Sequence, residues 1–549
     1  MVTGGIRGDA AERAGGEDTP DGDPAGSTAA PPAPEVPLLD RTQRGELDIV
    51  RRLGTVGSLL LAVGSLGAGA APVYNPLPTV PVVGLFARIP SAALAGSLLG
   101  MGMIVVSWLL LGRYARPEGP RLITKAQLDR TLVMWMVPLL LIPPLFSRDV
   151  YSYLAQSAIV SAGQDPYEVG PAQALGVADP LTRGVPNIWR ETPAPYGPLF
   201  LTLGHWMYSA TGNHVVTSVL MQRLLALIGV ALFVWALPRL ARRFGVQPVT
   251  ALWLGAANPL VLFHLVAGIH NEALAIGLMM AGLEIGMRRL PEAVPDGPPP
   301  PGQPREWTYV LLGVVIITLG AGVKIPALVA AGFLGVMVAR RWGGGFGTLI
   351  RVGALFLAVA AATMTALSLA TGLGFGWIGA LGTPNVVRSW ISPVTELANL
   401  GGMLGIVLGL GNHTDAVFQL VTLLGYAAGA LITVKLLLDS FQGRRGVMTG
   451  LGASLAAMLL LHPAMHAWYL LFPVIPLAAS LAGTQRFRRP ATLGIAIFAC
   501  LVPPTGSTFV GRTYVLPQAW VAAIIVLVLV LIVVNRRLPL LPRRPVQAP

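Results

Sequence analysis

Long apolar runs recur along almost the whole chain, and they constrain its fold more than any other feature of the sequence. Residues 518–535, for example, contain no charged side chain. About 20 consecutive apolar residues are enough for an α-helix to cross a lipid bilayer. Charged residues make up 11% of the chain, whereas they make up about 25% of a typical soluble domain. The sequence therefore predicts an all-α, polytopic membrane protein.

About fourteen apolar segments are candidate transmembrane helices, with bounds given to within several residues at each end. In chain order they lie near 53–71, 92–112, 131–146, 215–237, 249–268, 271–287, 308–323, 325–340, 349–371, 415–437, 449–461, 466–482, 491–503 and 518–535. Two further segments, 198–211 and 397–411, are also apolar but short. We interpret these two as re-entrant or interfacial pieces.

The distribution of arginine predicts the orientation of the chain in the membrane. Basic connections between crossings always fall on the side of the N-terminus, and they begin at Arg113, Arg239, Arg288, Arg340, Arg444, Arg486 and Arg536. Cytoplasmic connections carry the excess of Lys and Arg in membrane proteins. We therefore expect a plasma-membrane protein with both termini in the cytoplasm. The net charge of +13 is interpreted as topology and lipid contact, not as nucleic-acid binding.

Composition divides the chain into a membrane body and two tails. Residues 1–40 are acidic and rich in Pro, Gly and Ala, which predicts a disordered cytoplasmic tail. Residues 41–537 form the membrane body. Within the body, 147–214 is predicted to be an external loop region and 288–307 a Pro-rich cytoplasmic linker. Residues 538–549 are predicted to be a second cytoplasmic tail.

The predicted external loop opens on Arg148 and Asp149, directly after the apolar run 132–146. Charged groups at a membrane boundary are costly unless they are paired or functional. A carboxylate at this position can deprotonate an attacking sugar hydroxyl, so Asp149 is the predicted catalytic base. The alternative is an interfacial ion pair between Asp149 and Arg148 that only ends a helix.

Other polar residues on the predicted external side are candidates for substrate binding. Asp165 is followed by a proline, and this segment also fits a simple turn. The aromatic residues near it fit either stacking on sugar rings or a belt of aromatic side chains at the membrane–water interface. Histidine and amide groups suit sugar hydroxyls, whereas basic groups suit a phosphate. The candidates are Arg148, Asp165, Tyr167, Tyr196, His270, Asn271, Glu272, Lys324, Arg388, His462, His466 and Arg512.

No cofactor is expected from these residues. His270, Asn271 and Glu272 stand together at a membrane edge, but the spaced ligands of a specific metal site are missing. Asn271 fits a helix cap as well as a sugar ligand. His462 and His466 have i, i+4 spacing, but Pro463 follows the first and no acidic residue completes a zinc-protease motif.

Several short motifs carry a family resemblance. They are Phe146 to Tyr153, Gly163 to Tyr167, Pro193 to Pro198, His270 to Glu272, Gly322 to Lys324, and His462 to Tyr469. In this order they resemble the polyprenol-phosphomannose-dependent α-1,6-mannosyltransferases of actinobacteria. The resemblance implies a GT-C glycosyltransferase fold, an external active site and a polyprenyl-phosphate sugar donor.

The resemblance also implies a catalytic carboxylate in the first external loop, which corresponds to Asp149. Many GT-C enzymes have an acidic pair, whereas Asp149 follows Arg148 and precedes Val150. A second acidic residue would therefore have to be Glu272 or Asp165.

The sequence thus predicts an inverting mannosyltransferase that transfers mannose from polyprenyl-phosphate-mannose to a lipid-anchored α-1,6-mannan acceptor of the lipomannan or lipoarabinomannan type. In this prediction Arg148 is the partner of Asp149. One alternative is an arabinofuranosyl or other polyprenyl-phosphate-sugar transferase. A second is a lipid or polysaccharide transporter, which predicts paired ionisable residues deep within crossings.

Overall fold

A computed structural model describes residues 38–119, 121–291, 302–383, 387–506 and 515–540. Some predicted features lie outside these ranges: the acidic tail up to residue 37, the Pro-rich stretch 292–301, the candidate residue Arg512 and the C-terminal tail from residue 541. The following description concerns only the described residues.

Almost all the regular structure is α-helical. The α-helices are α1 (Arg41–Ala68), α2 (Val83–Arg88), α3 (Pro90–Ala115), α4 (Lys125–Met136), α5 (Asp149–Ser161), α6 (Pro171–Leu175), α7 (Pro180–Gly184), α8 (Asn187–Arg190), α9 (Pro198–Ala210), α10 (Val215–Arg243), α11 (Pro248–Gly255), α12 (Glu272–Met287), α13 (Glu306–Ala321), α14 (Val329–Arg341), α15 (Phe346–Ala370), α16 (Gly376–Ala380), α17 (Pro393–Val407), α18 (Thr414–Phe441), α19 (Val447–Leu460), α20 (Leu471–Leu481), α21 (Gln485–Leu501) and α22 (Val515–Arg537). A π-helix spans Val261–Ala267. The described residues contain one isolated β-bridge, between Leu38 and Leu122.

Six of the described helices are long and apolar enough to cross a membrane: α1, α3, α10, α15, α18 and α22. The π-helix and α12 would form a seventh crossing, although they are bent by 109° relative to each other. Shorter apolar helices include α13 and α19. The predicted all-α membrane class is therefore confirmed, whereas the number of fourteen crossings stays a prediction.

The predicted crossing at 131–146 is not a single helix. Helix α4 ends at Met136, and only a short 3-10 helix, Val137–Leu139, follows it. Three prolines, Pro138, Pro143 and Pro144, interrupt this stretch. Proline lacks the amide hydrogen that a helix interior requires. The chain consequently reaches Asp149 through an irregular segment, and not through the end of a transmembrane helix.

Closely packed glycines hold α10, α12 and α13 together. Gly229 of α10 lies against the backbone of Ala273 and Gly277 in α12, and Gly282 of α12 lies against Gly313 in α13. Small residues let helix backbones approach closely, which is a common mode of packing in membranes. Since α12 begins at Glu272, this packing also fixes the position of a candidate site residue.

A methyl group at Gly229 would overlap the Ala273 carbonyl group, so Gly229→Ala is expected to destabilise the protein by about 1–3 kcal/mol. The matched control is Gly353→Ala, because Gly353 lies within α15 and a methyl group there meets nothing within 4 Å. The control is expected to be neutral or slightly stabilising. Melting temperatures of the purified proteins in detergent test this difference, and equal values for the two variants would contradict it.

Candidate active site

Two helix N-termini and one interhelical connection meet at the candidate site. Asp149 is the first residue of α5, and Glu272 is the first residue of α12. Lys324 lies between α13 and the short 3-10 helix Ile325–Leu328. Carboxylates are stabilised at helix N-termini by the partial positive charge of the unpaired amide groups. The fold therefore supplies a favourable position for each of the two acidic residues.

Side chains from these three elements form a connected set with Tyr469, which lies in the 3-10 helix Ala467–Leu470. His270 Nδ1 lies 3.5 Å from Asp149 Oδ2 and 3.7 Å from Glu272 Oε2. Lys324 Nζ donates a hydrogen bond to Glu272 Oε1 and another, at 3.0 Å, to the Tyr469 hydroxyl. We refer to Asp149, His270, Glu272, Lys324 and Tyr469 as the acid–lysine cluster.

The two acidic residues of the cluster differ in exposure and pairing. The Glu272 side chain is 1% exposed and is neutralised by Lys324. The Asp149 side chain is 20% exposed, and no Lys or Arg among the described residues pairs with it. The Lys324 side chain is 19% exposed. A ligand can thus approach Asp149 and Lys324, whereas Glu272 is enclosed.

Burial raises the pKa of the Asp149 carboxyl to about 6, and the negative charge of Glu272 acts in the same direction. Ser147 and Lys324 oppose this increase. Burial alone would lower the pKa of Lys324, but Glu272 and Tyr469 raise it above its usual value. Asp149 is therefore suited to exchange a proton near neutral pH, whereas Lys324 stays cationic.

The backbone is strained on both sides of the cluster. Phe146 has a φ of 66° and Ile269 a φ of 59°. Positive φ is unusual for residues other than glycine and especially for a β-branched residue such as isoleucine. Strain of this kind is concentrated at functional sites, where the surrounding structure maintains it. Stacking of Phe146 on Phe263, with ring centroids 5.1 Å apart, helps to hold this conformation.

Aromatic rings form one wall of the site. Trp468 stacks on His270 with a centroid distance of 3.9 Å and on His466 with a centroid distance of 4.5 Å. The Lys324 ammonium lies 5.9 Å from the centroid of the Tyr196 ring. Aromatic rings around charged groups exclude water and strengthen their electrostatic interactions.

Several buried polar atoms at the site lack a hydrogen-bond partner among the described residues. They include both amide atoms of Asn271, Nε2 of His270 and Nε1 of Trp468. Buried polar groups normally have a partner in protein or ordered water. The described residues therefore leave part of the hydrogen-bonding capacity of the site unused. The described residues contain no group of three or more His, Cys, Asp or Glu side chains placed to hold a metal ion.

The predicted pairing of Arg148 with Asp149 is wrong. Arg148 donates hydrogen bonds to the carbonyl oxygens of Gly184, at 3.0 Å, and Ala71, at 3.4 Å. Its guanidinium also lies 5.5 Å from the centroid of the Tyr151 ring. Two backbone carbonyls thus satisfy Arg148, and Asp149 remains beside His270 instead. Adjacent residues at the start of a helix project in different directions, which explains why neighbours in sequence are not partners here.

Asp165 and Tyr167 support the site indirectly. Asp165 Oδ1 accepts a hydrogen bond from the Tyr167 amide at 2.8 Å, as the turn interpretation of this segment predicts. The Tyr167 hydroxyl donates to the Tyr196 carbonyl oxygen at 3.0 Å. Tyr196 packs edge-on against Tyr153 with a centroid distance of 5.2 Å. These contacts position the Tyr196 ring near Lys324.

Two other candidates have partners outside the acid–lysine cluster. Arg388 forms a 2.6 Å ion pair with Asp415, and no contact within the described residues joins it to the cluster. His462 lies 3.3 Å from the Tyr426 hydroxyl through Nε2 and accepts the Ala464 amide at Nδ1. His466, by contrast, reaches the cluster through an edge-on contact with Tyr469 at a centroid distance of 5.2 Å.

Sequence reasoning did not select Trp468, Tyr469 or Tyr153 as site residues. Trp468 and Tyr469 lie two and three residues after His466 in the segment that carries the family resemblance, and this proximity is the available signal. The contact between Tyr469 and Lys324 joins residues 145 positions apart. No local pattern indicates such a contact.

Comparison with known proteins identifies the family. A family model described as "Alpha-(1->6)-mannopyranosyltransferase, N-terminal domain" matches residues 51–340. A second, described as "MptB C-terminal domain", matches residues 394–532. The N-terminal match includes four residues of the acid–lysine cluster, and the C-terminal match includes Tyr469.

Three curated relatives give the same result. The chain is 44% identical to a probable alpha-(1->6)-mannopyranosyltransferase of Mycolicibacterium smegmatis over 92% of this chain and 91% of the relative. It is also 44% identical to an alpha-(1->6)-mannopyranosyltransferase of Mycobacterium tuberculosis, over 93% of this chain and 91% of the relative. Identity to alpha-(1->6)-mannopyranosyltransferase B of Corynebacterium glutamicum is 35%, over 78% of this chain and 72% of the relative. The predicted resemblance is thus confirmed, and the chain belongs to the alpha-(1->6)-mannopyranosyltransferase family.

Proposed function

We propose that this membrane mannosyltransferase transfers mannose from polyprenyl-phosphate-mannose to an α-1,6-mannan acceptor of the lipomannan or lipoarabinomannan type. The reaction takes place on the external face, and Asp149 acts as general base. The observation that carries this proposal is the difference between the two carboxylates of the acid–lysine cluster. Glu272 is enclosed and paired with Lys324, whereas Asp149 is partly exposed and has no cationic partner among the described residues.

In the proposed reaction Asp149 accepts the proton of the acceptor 6-hydroxyl. The hydroxyl oxygen forms a bond to C1 of mannose while the bond from C1 to the donor phosphate oxygen breaks. Polyprenyl phosphate leaves with the electron pair of that bond. Attack opposite to the leaving group inverts the anomeric centre, and one base is sufficient because no covalent enzyme intermediate forms.

Lys324 is the residue proposed to stabilise the departing phosphate. Its ammonium group is partly exposed, and its hydrogen bonds to Glu272 and Tyr469 hold it in place. Phosphate gains negative charge as the bond to C1 breaks, so a preorganised cation favours the transition state. Trp468 and Tyr196 are themselves buried, and the aromatic wall that contains them keeps water away from this cation.

Contacts between the segments that connect predicted crossings support an active site on the external face. The basic connections predicted to be cytoplasmic contact one another: Arg113 bonds the carbonyl of Pro539 at 2.6 Å, and Arg340 bonds the carbonyl of Ser440 at 3.3 Å. The acid–lysine cluster joins a different set of segments, which the charge pattern assigns to the outside or to the outer ends of predicted crossings. The two sets agree with one orientation in the membrane.

The proposal is tested by transfer of labelled mannose from polyprenyl-phosphomannose to an α-1,6-oligomannoside, in membranes that contain the protein. We expect a product extended by α-1,6-linked mannose. Membranes without the protein are the control. Transfer from a polyprenyl-phosphate arabinofuranose donor, with none from the mannose donor, would instead favour the alternative sugar transferase.

The rate of transfer is expected to fall as the pH falls through about 6. Asp149 must be ionised to accept a proton, and its pKa is about 6. Below this pH the ionised fraction, and with it the rate, should decrease about tenfold per pH unit. Rates measured between pH 4.5 and 8 with donor below saturation test this dependence, because they report the pKa of the ligand-free protein, and recovery of activity after return to pH 7.5 controls for denaturation. A rate that stays constant down to pH 5 would contradict the role of Asp149.

A further inference from the structure

A polar cavity lies away from the acid–lysine cluster, where α3 ends and α21 begins. Its volume is about 530 Å³. Four arginines and one carboxylate line it: Arg113, Arg116, Arg488, Arg489 and Glu118. None of these residues belongs to the proposed active site. The excess of positive charge suits an anionic ligand.

Two of the arginines are fixed by the protein itself. Arg488 binds the Glu118 carboxylate through Nη2, and its Nη1 donates to the Ala482 carbonyl at 2.8 Å. Arg113 donates to the Pro539 carbonyl at 2.6 Å. These contacts join three predicted cytoplasmic connections, so the cavity has a rigid polar frame.

The other two arginines, Arg116 and Arg489, are held less firmly than Arg113 and Arg488. Within the described residues, neither the Arg116 nor the Arg489 side chain forms an ion pair or a hydrogen bond, although Arg116 lies 5.8 Å from the centroid of the Trp253 ring. Burial lowers the pKa of Arg116, and the nearby positive charge of Arg488 lowers it further, whereas the negative charge of Glu118 partly opposes this decrease. An anion at this position would relieve the repulsion between these cations.

The cavity also has an apolar side. Leu109 of α3 and Leu493 and Ala496 of α21 line it. The Leu493 side chain is 63% exposed, and α3 is one of the candidate membrane spans. Charged and apolar surfaces therefore adjoin at the end of a membrane helix, as they do in the headgroup region of a bilayer.

We propose that this cavity binds the phosphate group of an anionic phospholipid on the cytoplasmic side of the membrane. The planar guanidinium groups of Arg116 and Arg489 match the oxygen geometry of a phosphate. Basic pockets at the cytoplasmic ends of transmembrane helices recognise lipid headgroups in the same way. A free phosphate shares this chemistry, but it would not use the apolar side that contains Leu493.

The test compares lipid binding by the purified full-length protein and by Arg116→Gln/Arg489→Gln, with dioleoyl phosphatidylglycerol in mixed micelles as the probe. Native mass spectrometry gives the affinity. We expect the double variant to bind this lipid at least tenfold more weakly. The matched control is Arg351→Gln/Arg445→Gln, because Arg351 and Arg445 are exposed, lie on the same predicted side and do not line the cavity. Equal affinities in the two double variants would overturn the proposal.

A second arm distinguishes a lipid from a free anion. Leu493→Gln should weaken binding of phosphatidylglycerol without changing the affinity for inorganic phosphate. Inorganic phosphate is compared directly with the lipid: equal affinities for the two, both unchanged by Leu493→Gln, would show that the cavity binds a free anion and not a phospholipid. If the double variant does not yield monodisperse protein, Arg489→Gln alone serves, because Arg489 is exposed.

Discussion

Replacing Asp149 with asparagine is expected to lower the rate of mannosyl transfer about a thousandfold, which is within the range for loss of a general base. Asparagine has nearly the same shape as aspartate but cannot accept the proton of the acceptor hydroxyl. The Asp149 carboxylate lies 3.5 Å from His270 Nδ1, and the Asp149 side chain is 20% exposed. No Lys or Arg in the described part of the chain pairs with it. The measurement is the initial rate of transfer in membranes with matched amounts of wild-type and variant protein.

The matched control for this experiment is Asp179→Asn. Asp179 lies in the same predicted external region, and its side chain caps α7 by accepting the amide hydrogen of Leu181 at 2.8 Å. Asparagine caps helices as well as aspartate does, so this variant should transfer mannose at the wild-type rate. A loss of activity in both variants would indicate a general effect on the loop. Full activity of Asp149→Asn would show that another group accepts the proton.

The structure also explains which parts of the site could be predicted from sequence. Asp149 and Glu272 were conspicuous because each charged residue stands next to an apolar run, and charge at a membrane boundary is costly. The same argument selected Lys324. The all-α class followed from composition and from the length of the apolar segments.

Pairing between side chains was harder to predict, since it depends on direction and not on sequence separation. Arg148 is the neighbour of Asp149 in sequence, but its hydrogen bonds go to the backbone at Gly184 and Ala71. The apolar run 132–146 satisfied the length criterion for a crossing, yet its prolines end the helix early. Hydropathy measures how apolar a segment is and does not register where amide hydrogens are missing.

Removing the charge of Lys324 is expected to have the largest effect on stability. Lys324→Met would leave Glu272, whose side chain is 1% exposed, without its cationic partner. An uncompensated buried charge costs about 3–5 kcal/mol, so the melting temperature of the purified protein should fall sharply. The control is Lys435→Met, because Lys435 pairs with Asp439 at 2.6 Å while its side chain is 72% exposed. Loss of an exposed pair costs less than about 1 kcal/mol.

The double variant Glu272→Gln/Lys324→Met separates stability from function. Removing both charges together eliminates the unpaired carboxylate, so most of the lost stability should return. Activity should not return with it, because the cation proposed to stabilise the departing phosphate is still absent. Melting temperature and transfer rate are therefore measured on the same preparations. Recovery of both would mean that Lys324 only neutralises Glu272, whereas recovery of stability alone assigns Lys324 a direct part in the transfer of the sugar.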